Sequence, residues 1–250
     1  MAQHGRALRS GRRGRQFKSA RPDQVLKKSN GKQPLLIRLL IVRHGQTEWN
    51  VQGRNQGHTD IGLDQIGILQ SEQVAEHLSQ EKLSGIYSSS LIRASYTANI
   101  IAKRIGINVT IDDRLRERDY GKWEGLSREE VMEKFPQSWK AYSQDPSLFG
   151  ADCGESGLEV YSRCASFLSE SLMSWSDNHD ILIVSHVGTI ANLISVLLDA
   201  NPSTASTLRI RNCSITEIII ESKTRKRLVR FDDVSHLTPE NRVLTNVSEV

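Results

Sequence analysis

Long apolar runs are missing from this sequence. The strongest candidate, Leu39-Leu40-Ile41-Val42 with its neighbours, is cut by Arg38 and Arg43, far short of the roughly 20 apolar residues a membrane-crossing helix needs. No membrane-spanning role is expected. Cysteine is scarce as well. Cys153, Cys164 and Cys213 are too few for a disulfide scaffold and show no CxxC spacing, so neither an oxidising compartment nor a zinc site is called for. We read them as reduced and mainly structural, in a cytoplasmic protein. Cys153 follows Asp152, whereas a nucleophilic thiol needs basic neighbours. There is no internal repeat, and no spacing of Asp and His that would ligate a metal, so no metal or other cofactor is expected.

Acidic residues are nearly absent from the first 38 positions, which hold 11 Lys and Arg against Asp23 alone. A net charge of +4 for the whole chain and +10 for this segment leaves −6 for the rest, so the basicity belongs to one end. The same segment is poor in large apolar residues and cannot offset its ordering entropy by burial, so residues 1–34 are expected to be a disordered basic extension. An Arg-rich, acid-poor start leaves organelle targeting as an alternative to a plain basic extension, although it lacks the apolar stripe of an amphipathic transit peptide and the apolar core of a secretory signal. Nucleic acid is expected as a partner only through this extension. The oligomeric state is open, a homodimer included.

What is present begins at residue 35. With 250 residues, 38% of them hydrophobic and 25% charged, the chain can build one large core. Residues 35–42 form a near-continuous branched run, the pattern of a strand buried on both faces. A Gly-containing loop over 53–62 precedes a helix expected from Asp64 to Gln80, with Ile66, Leu69, Val74 and Leu78 inward. Short strands are expected at 85–88 and 108–111, and a helix between them capped by Ser89 or Ser90. Ser127 with Glu130, and Ser156 with Glu159, have capping-box spacing and open two more helices. A second buried strand, 181–185, leads into a helix with the stripe Ile190, Leu193, Ile194, Leu197, Leu198. Residues 215–220 and 227–231 look like a hairpin. This alternation predicts an α/β protein, a three-layer α/β/α sandwich with a mostly parallel sheet. Its catalytic domain would span 35–234, followed by a polar tail, 235–250.

Two histidines stand at the carboxyl ends of the two most apolar strands: Arg43-His44-Gly45 after Val42, and Ser185-His186-Val187-Gly188 after Val184. In open α/β sheets this edge is where ligands bind, and adjacent strands would bring both histidines to one crevice. One such histidine is more often just a hydrogen-bonded, half-buried side chain. Two at equivalent strand ends, one preceded by Arg and each near a Gly, suggest a site.

The run Arg43-His44-Gly45-Gln46-Thr47-Glu48-Trp49-Asn50 resembles the signature of the histidine phosphatase superfamily, the phosphoglycerate-mutase-like proteins. Four further blocks follow in the family's order: Gly53 to Asp64, Ser88 to Ala94, Leu115 to Gly125, and Ser185 to Gly188. The resemblance implies that His44 is the nucleophile carrying a phosphoryl group, its other ring nitrogen fixed by a backbone hydrogen bond. Arg43 and Arg93 would spread their planar forks over the phosphoryl oxygens, with His186, protonated beside the phosphate, as a further donor. Glu117 would protonate the leaving oxygen and then deprotonate water, Glu124 and Glu155 being its rivals. Asn50, Gln56, Gly57 and His58 are the substrate-binding candidates, and for Asn50 a capping role is an equal alternative. The short stretch between Gly125 and Gly154 resembles the phosphatase branch rather than the mutases. The implied function is hydrolysis of a small phosphomonoester such as a sugar phosphate, a phosphoglycerate-like acid or α-ribazole phosphate. Phosphoglycerate-mutase chemistry and a catalytically silent phospho-ligand-binding protein are the alternatives.

Overall fold

Branched residues set the frame: Ile37, Leu39, Leu40, Ile41 and Val42 all lie at 1% exposure or less in the first strand, which therefore has helices on both faces. The structure, a computed structural model, describes residues 36–175, 178–222 and 224–242. The expectation for residues 1–34 lies outside them. Six strands, β1 (Ile37–Arg43), β2 (Gly85–Ser88), β3 (Val109–Ile111), β4 (His179–Ser185), β5 (Ile215–Ser222) and β6 (Arg225–Asp233), form one sheet in the order β3-β2-β4-β1-β5-β6. The four strands from β3 to β1 are parallel, while β5 and β6 are antiparallel additions. The sheet is thus mostly parallel, and the β5–β6 hairpin falls where residue pattern placed it.

One face of the sheet, with Leu39, Ile41 and Ile183, packs on α6 (Gly157–Ser174) through Cys164 and Phe167 and on α7 (Val187–Leu197) through Ile190 and Leu193. The other, with Leu40, Val42 and Val184, packs on α2 (Gln65–His77) through Val74 and on α3 (Ile92–Ile105) through Ala98 and Ile101. Alternate residues of one strand thus serve the two cores of a three-layer sandwich. Truncating Ile41 to Ala would cost about 2–5 kcal/mol, the range for a cavity in a packed core. A third, smaller cluster, Trp123, Val131 and Tyr142 with their neighbours, joins the loop after Glu117 to α4 (Arg128–Lys134) and α5 (Pro136–Gln144). Both capping boxes, Ser127 with Glu130 and Ser156 with Glu159, are formed.

Three expectations need correction. The inward face expected for α2 holds at Val74 and Leu78, which are buried, but not at its first turns: Ile66 is half-buried, Leu69 is 37% exposed, and Gly67, Gln70 and Ser71 are buried there instead. The reason is local, because this face supports a polar loop. Gln70 Oε1 accepts the Gln46 amide at 2.9 Å, and Gly45 and Gly67 bring the two backbones so close that a Cβ at either would collide with the other segment. Neither Ser89 nor Ser90 caps α3, whose N-cap is Leu91 with no side-chain bond. Finally, the fold runs past residue 234. Leu237 is 1% exposed, and the Asn241 carbonyl accepts a bond from Gln70 Nε2, so 235–242 cover α2 rather than forming a tail.

Candidate active site

The register Val42 with Val184 and Arg43 with Ser185 puts the two strand ends level, so the chain enters both histidines side by side. The His44 amide donates to the Ser185 carbonyl at 2.9 Å, extending the ladder one step beyond the strand. The two imidazoles lie 5.0 Å apart between centroids. Adjacent parallel strands thus supply the shared crevice that their sequence positions suggested.

His44 Nδ1 donates to its neighbour's carbonyl, Gly45 O, at 2.7 Å, which leaves Nε2 as the ring's lone-pair nitrogen. Burial, then Arg93 and Arg43, hold this imidazole well below its ordinary range, so it is neutral at physiological pH. His186 Nε2 lies 2.8 Å from Ser89 Oγ. Burial, Arg93, His44 and Arg43 depress His186 in the same way, so the protein alone keeps it neutral, and only a nearby anion would favour its proton.

Two fully buried arginines flank the histidines. Arg93, from the first turn of α3, donates from Nη2 to Gly57 O at 2.7 Å and from Nη1 to Thr59 O at 3.0 Å, which fixes its plane against the loop after α1 (Glu48–Val51). Arg43 donates from Nη1 to Ile210 O at 2.7 Å. Glu117 is 5% exposed, and its carboxylate accepts the amides of Arg118 (2.8 Å), Gly188 (3.2 Å) and Thr189 (3.2 Å). The last two belong to the first turn of α7, so the helix that follows His186 also orients Glu117.

Of the expected site residues, His44, Arg93, Glu117, Gln56 and Gly57 line one narrow pocket, joined by Tyr120. Gln56 is held through Thr47 Oγ1 at 3.0 Å. Gly57 has φ +52°, and a Cβ there would run into the Glu124 side chain. Arg43 and His186 are not among the lining residues, but the His186 ring lies 5.0 Å from that of His44, and Arg43 is one of the charges acting on it. Asn50 does not line the pocket: its Oδ1 accepts the Thr47 amide at 3.1 Å and the Asn212 amide group at 3.2 Å, the capping alternative. His58 is not among the lining residues, and its ring is engaged by Nε2 with Glu117 O at 2.9 Å, with Nδ1 3.8 Å from Asp119. The rival acids are engaged elsewhere. Glu124 accepts the amides of His58 and Thr59, and Glu155 is paired with Arg163.

Residue pattern missed three contributors. Tyr120 sits inside a block already singled out, and Ser89 was misread as a cap. Asn212, which donates to His44 O at 3.0 Å, has no signal of its own, because only the antiparallel return of β5 brings it to β1. Among the described residues, no three His, Cys, Asp or Glu side chains converge as metal ligands would, and no helix is long and apolar enough to cross a membrane.

The geometry, two strand-end histidines between buried arginines with one oriented carboxylate, is that of a phosphoryl-transfer site. The chain belongs to the histidine phosphatase superfamily (branch 1), whose family model matches residues 39–234. It is 34% identical over 203 residues to phosphoserine phosphatase 1 of Hydrogenobacter thermophilus, covering 81% of this chain and 95% of the relative. It is 37% identical over 207 residues to phosphoglycerate mutase-like protein 4 of Arabidopsis thaliana, covering 80% and 86%. Among solved structures, Entamoeba histolytica phosphoserine phosphatase in complex with 3-phosphoglyceric acid aligns with a TM-score of 0.72 at 31% identity, over 81% of this chain and all of that one.

Proposed function

We propose that residues 36–242 form a phosphatase that hydrolyses a small phosphorylated metabolite through a phosphohistidine on His44. The observation that carries this is the neutral His44 ring, its Nδ1 hydrogen held by Gly45 O and its Nε2 left as nucleophile in a pocket shared with Arg93 and Glu117. The phosphatase and mutase-like names among the relatives agree with phosphoryl transfer.

In the first step the Nε2 lone pair forms a bond to phosphorus while the ester P–O bond breaks. Glu117, entering protonated, passes its proton to the leaving oxygen. Arg93 and Arg43 balance charge on the equatorial oxygens, a role suited to groups already fixed before the reaction. His186, taking up a proton beside the dianion, adds a donor. In the second step Glu117, now a carboxylate, takes a proton from water as its oxygen attacks phosphorus. The P–N bond breaks, inorganic phosphate leaves, and His44 returns to its starting tautomer.

Incubation with a phosphomonoester should leave acid-labile, alkali-stable phosphate on the protein, and His44→Ala should abolish label and turnover. Full turnover in that variant would overturn the mechanism. With 3-phosphoglycerate, release of inorganic phosphate rather than an isomeric phosphoglycerate is the expected product. The isomer would instead make the chain a mutase.

A further inference from the structure

The pocket around His44 has a free volume of about 10 Å³, whereas an adjoining groove has about 480 Å³, within the usual range for small-molecule sites. The two meet at a shared residue. Tyr120 lines both, and Gly188 lines the groove while its amide holds Glu117. A leaving group bonded to a phosphoryl group at His44 and protonated by Glu117 therefore has this groove beside it.

The chemistry of that groove is one-sided. Arg118, Arg128 and Arg209 line it, and no Asp or Glu does. Elsewhere arginines such as Arg38, Arg114, Arg163 and Arg230 sit against carboxylates. Arg118 is the buried member, its guanidinium 4.8 Å from the Tyr142 ring and donating to the carbonyls of Glu155 and Phe149. Arg128 stacks 5.1 Å from the Trp139 ring, and the Glu129 carboxylate beside it accepts instead from Ser127 Oγ. Arg209 donates from Nη1 to the carbonyls of Ser206 and Leu208. Neither exposed guanidinium has a carboxylate within ion-pairing distance among the described residues. Trp139 and Tyr142, stacked with centroids 6.0 Å apart, give the same groove an aromatic wall.

We infer that the groove is the leaving-group site, and that it selects elongated phosphomonoesters carrying a second anionic group, carboxylate or phosphate, at the end remote from His44, with Arg128 and Arg209 as the specificity-determining residues. This rests on the phosphatase reading of His44. Monoesters without a second anionic group would leave the two arginines unengaged. The aromatic wall favours a ring or sugar between the two charged ends.

The test uses the full chain and four probes: p-nitrophenyl phosphate, glucose 6-phosphate, 6-phosphogluconate and glucose 1,6-bisphosphate. Expected is a kcat/KM for the two probes with a second anionic group, 6-phosphogluconate and glucose 1,6-bisphosphate, about tenfold or more above glucose 6-phosphate, lost in Arg128→Gln/Arg209→Gln mainly through KM, the size of a charged hydrogen bond forfeited. The hydrolysis of p-nitrophenyl phosphate should be unchanged in that variant, which also shows that it folds. Comparing 6-phosphogluconate with the bisphosphate tells which anion the site takes. Equal rates for all three sugars, or equal losses on every probe, would overturn the assignment. If no probe is hydrolysed, the phosphatase reading fails instead, and calorimetric binding of 6-phosphogluconate against glucose 6-phosphate to wild type and double variant still decides the groove, equal affinity for the two sugars overturning it.

Discussion

Around His44 the protein holds its own functional groups by backbone bonds, while in the groove beside it the exposed charges face solvent. Arg93 and Arg43 donate to carbonyls, Glu117 accepts amides, and the His44 tautomer is set by Gly45 O. Arg128 and Arg209, by contrast, lean on an aromatic ring and on their own turn. The difference separates two tasks. Chemistry at phosphorus gains from groups that need no rearrangement as charge develops, whereas discrimination among leaving groups needs charges whose satisfaction depends on the ligand.

That comparison can be broken at either end. After loss of His44 itself, the largest effect should follow Glu117→Gln, which slows hydrolysis of alkyl phosphates by about 10²–10⁴-fold, the usual weight of a positioned acid. Aryl phosphates, whose leaving oxygen barely needs the proton, should suffer far less. Equal losses on the two ester types, measured side by side, would move the acid elsewhere. Next comes Gly67→Ala, remote from the phosphoryl position but pressed against the Gln46 backbone. It should lower stability by about 1–3 kcal/mol, as overpacking does, and lower kcat through the displaced His44 loop. Thermal melts with single-turnover rates would check both, and an unshifted kcat would show that the pocket tolerates movement.

A smaller effect concerns pH. Both site histidines have folded-state values depressed below the ordinary 6.5. Their neutral forms therefore contribute stability that is present above that value and is lost as pH falls through it toward the folded values, where the unfolded chain binds more protons. His236, buried against Cys213 O and lowered to about 4, adds to the same loss between 6.5 and 4. Melting temperature should fall across this window. Meanwhile kcat/KM for the free enzyme should show no loss near 6.5 attributable to His44. An inflection there in the wild-type profile would contradict its burial.

The sheet and most helices were legible because their signals are local: the branched runs of β1 and β4, the capping boxes before α4 and α6, the stripe of α7. His44, Arg93 and Glu117 were legible as types in an ordered series of blocks. What pattern misjudged was polar burial. Gln70 faces inward on α2 to hold the loop after His44, and Ser71 to bond Gly67 O and Thr97, which a hydrophobic stripe cannot reveal. The partner of His58 was equally illegible, since a loop histidine shows no sign of the carbonyl, Glu117 O, that it meets. The groove, drawn from residues 118 to 209, has no sequence signature at all, because it exists only where α7 meets the cluster of α4 and α5.

The position of β1 in the sheet bears on the order in which the protein is made. The strand that presents His44 leaves the ribosome first among the six. Yet one of its neighbours is β4, ending at Ser185, and the other is β5, beginning at Ile215, with Asn212 on the His44 carbonyl just before it. A nascent chain lacking those segments holds the nucleophile on an unpaired strand, without His186, the Glu117 anchors or the Arg43 contact at Ile210. Such distant pairings make for late assembly. Chains that still lack β4 and β5 should therefore be without the assembled site, and activity recovered on dilution from denaturant should lag behind the recovery of helix.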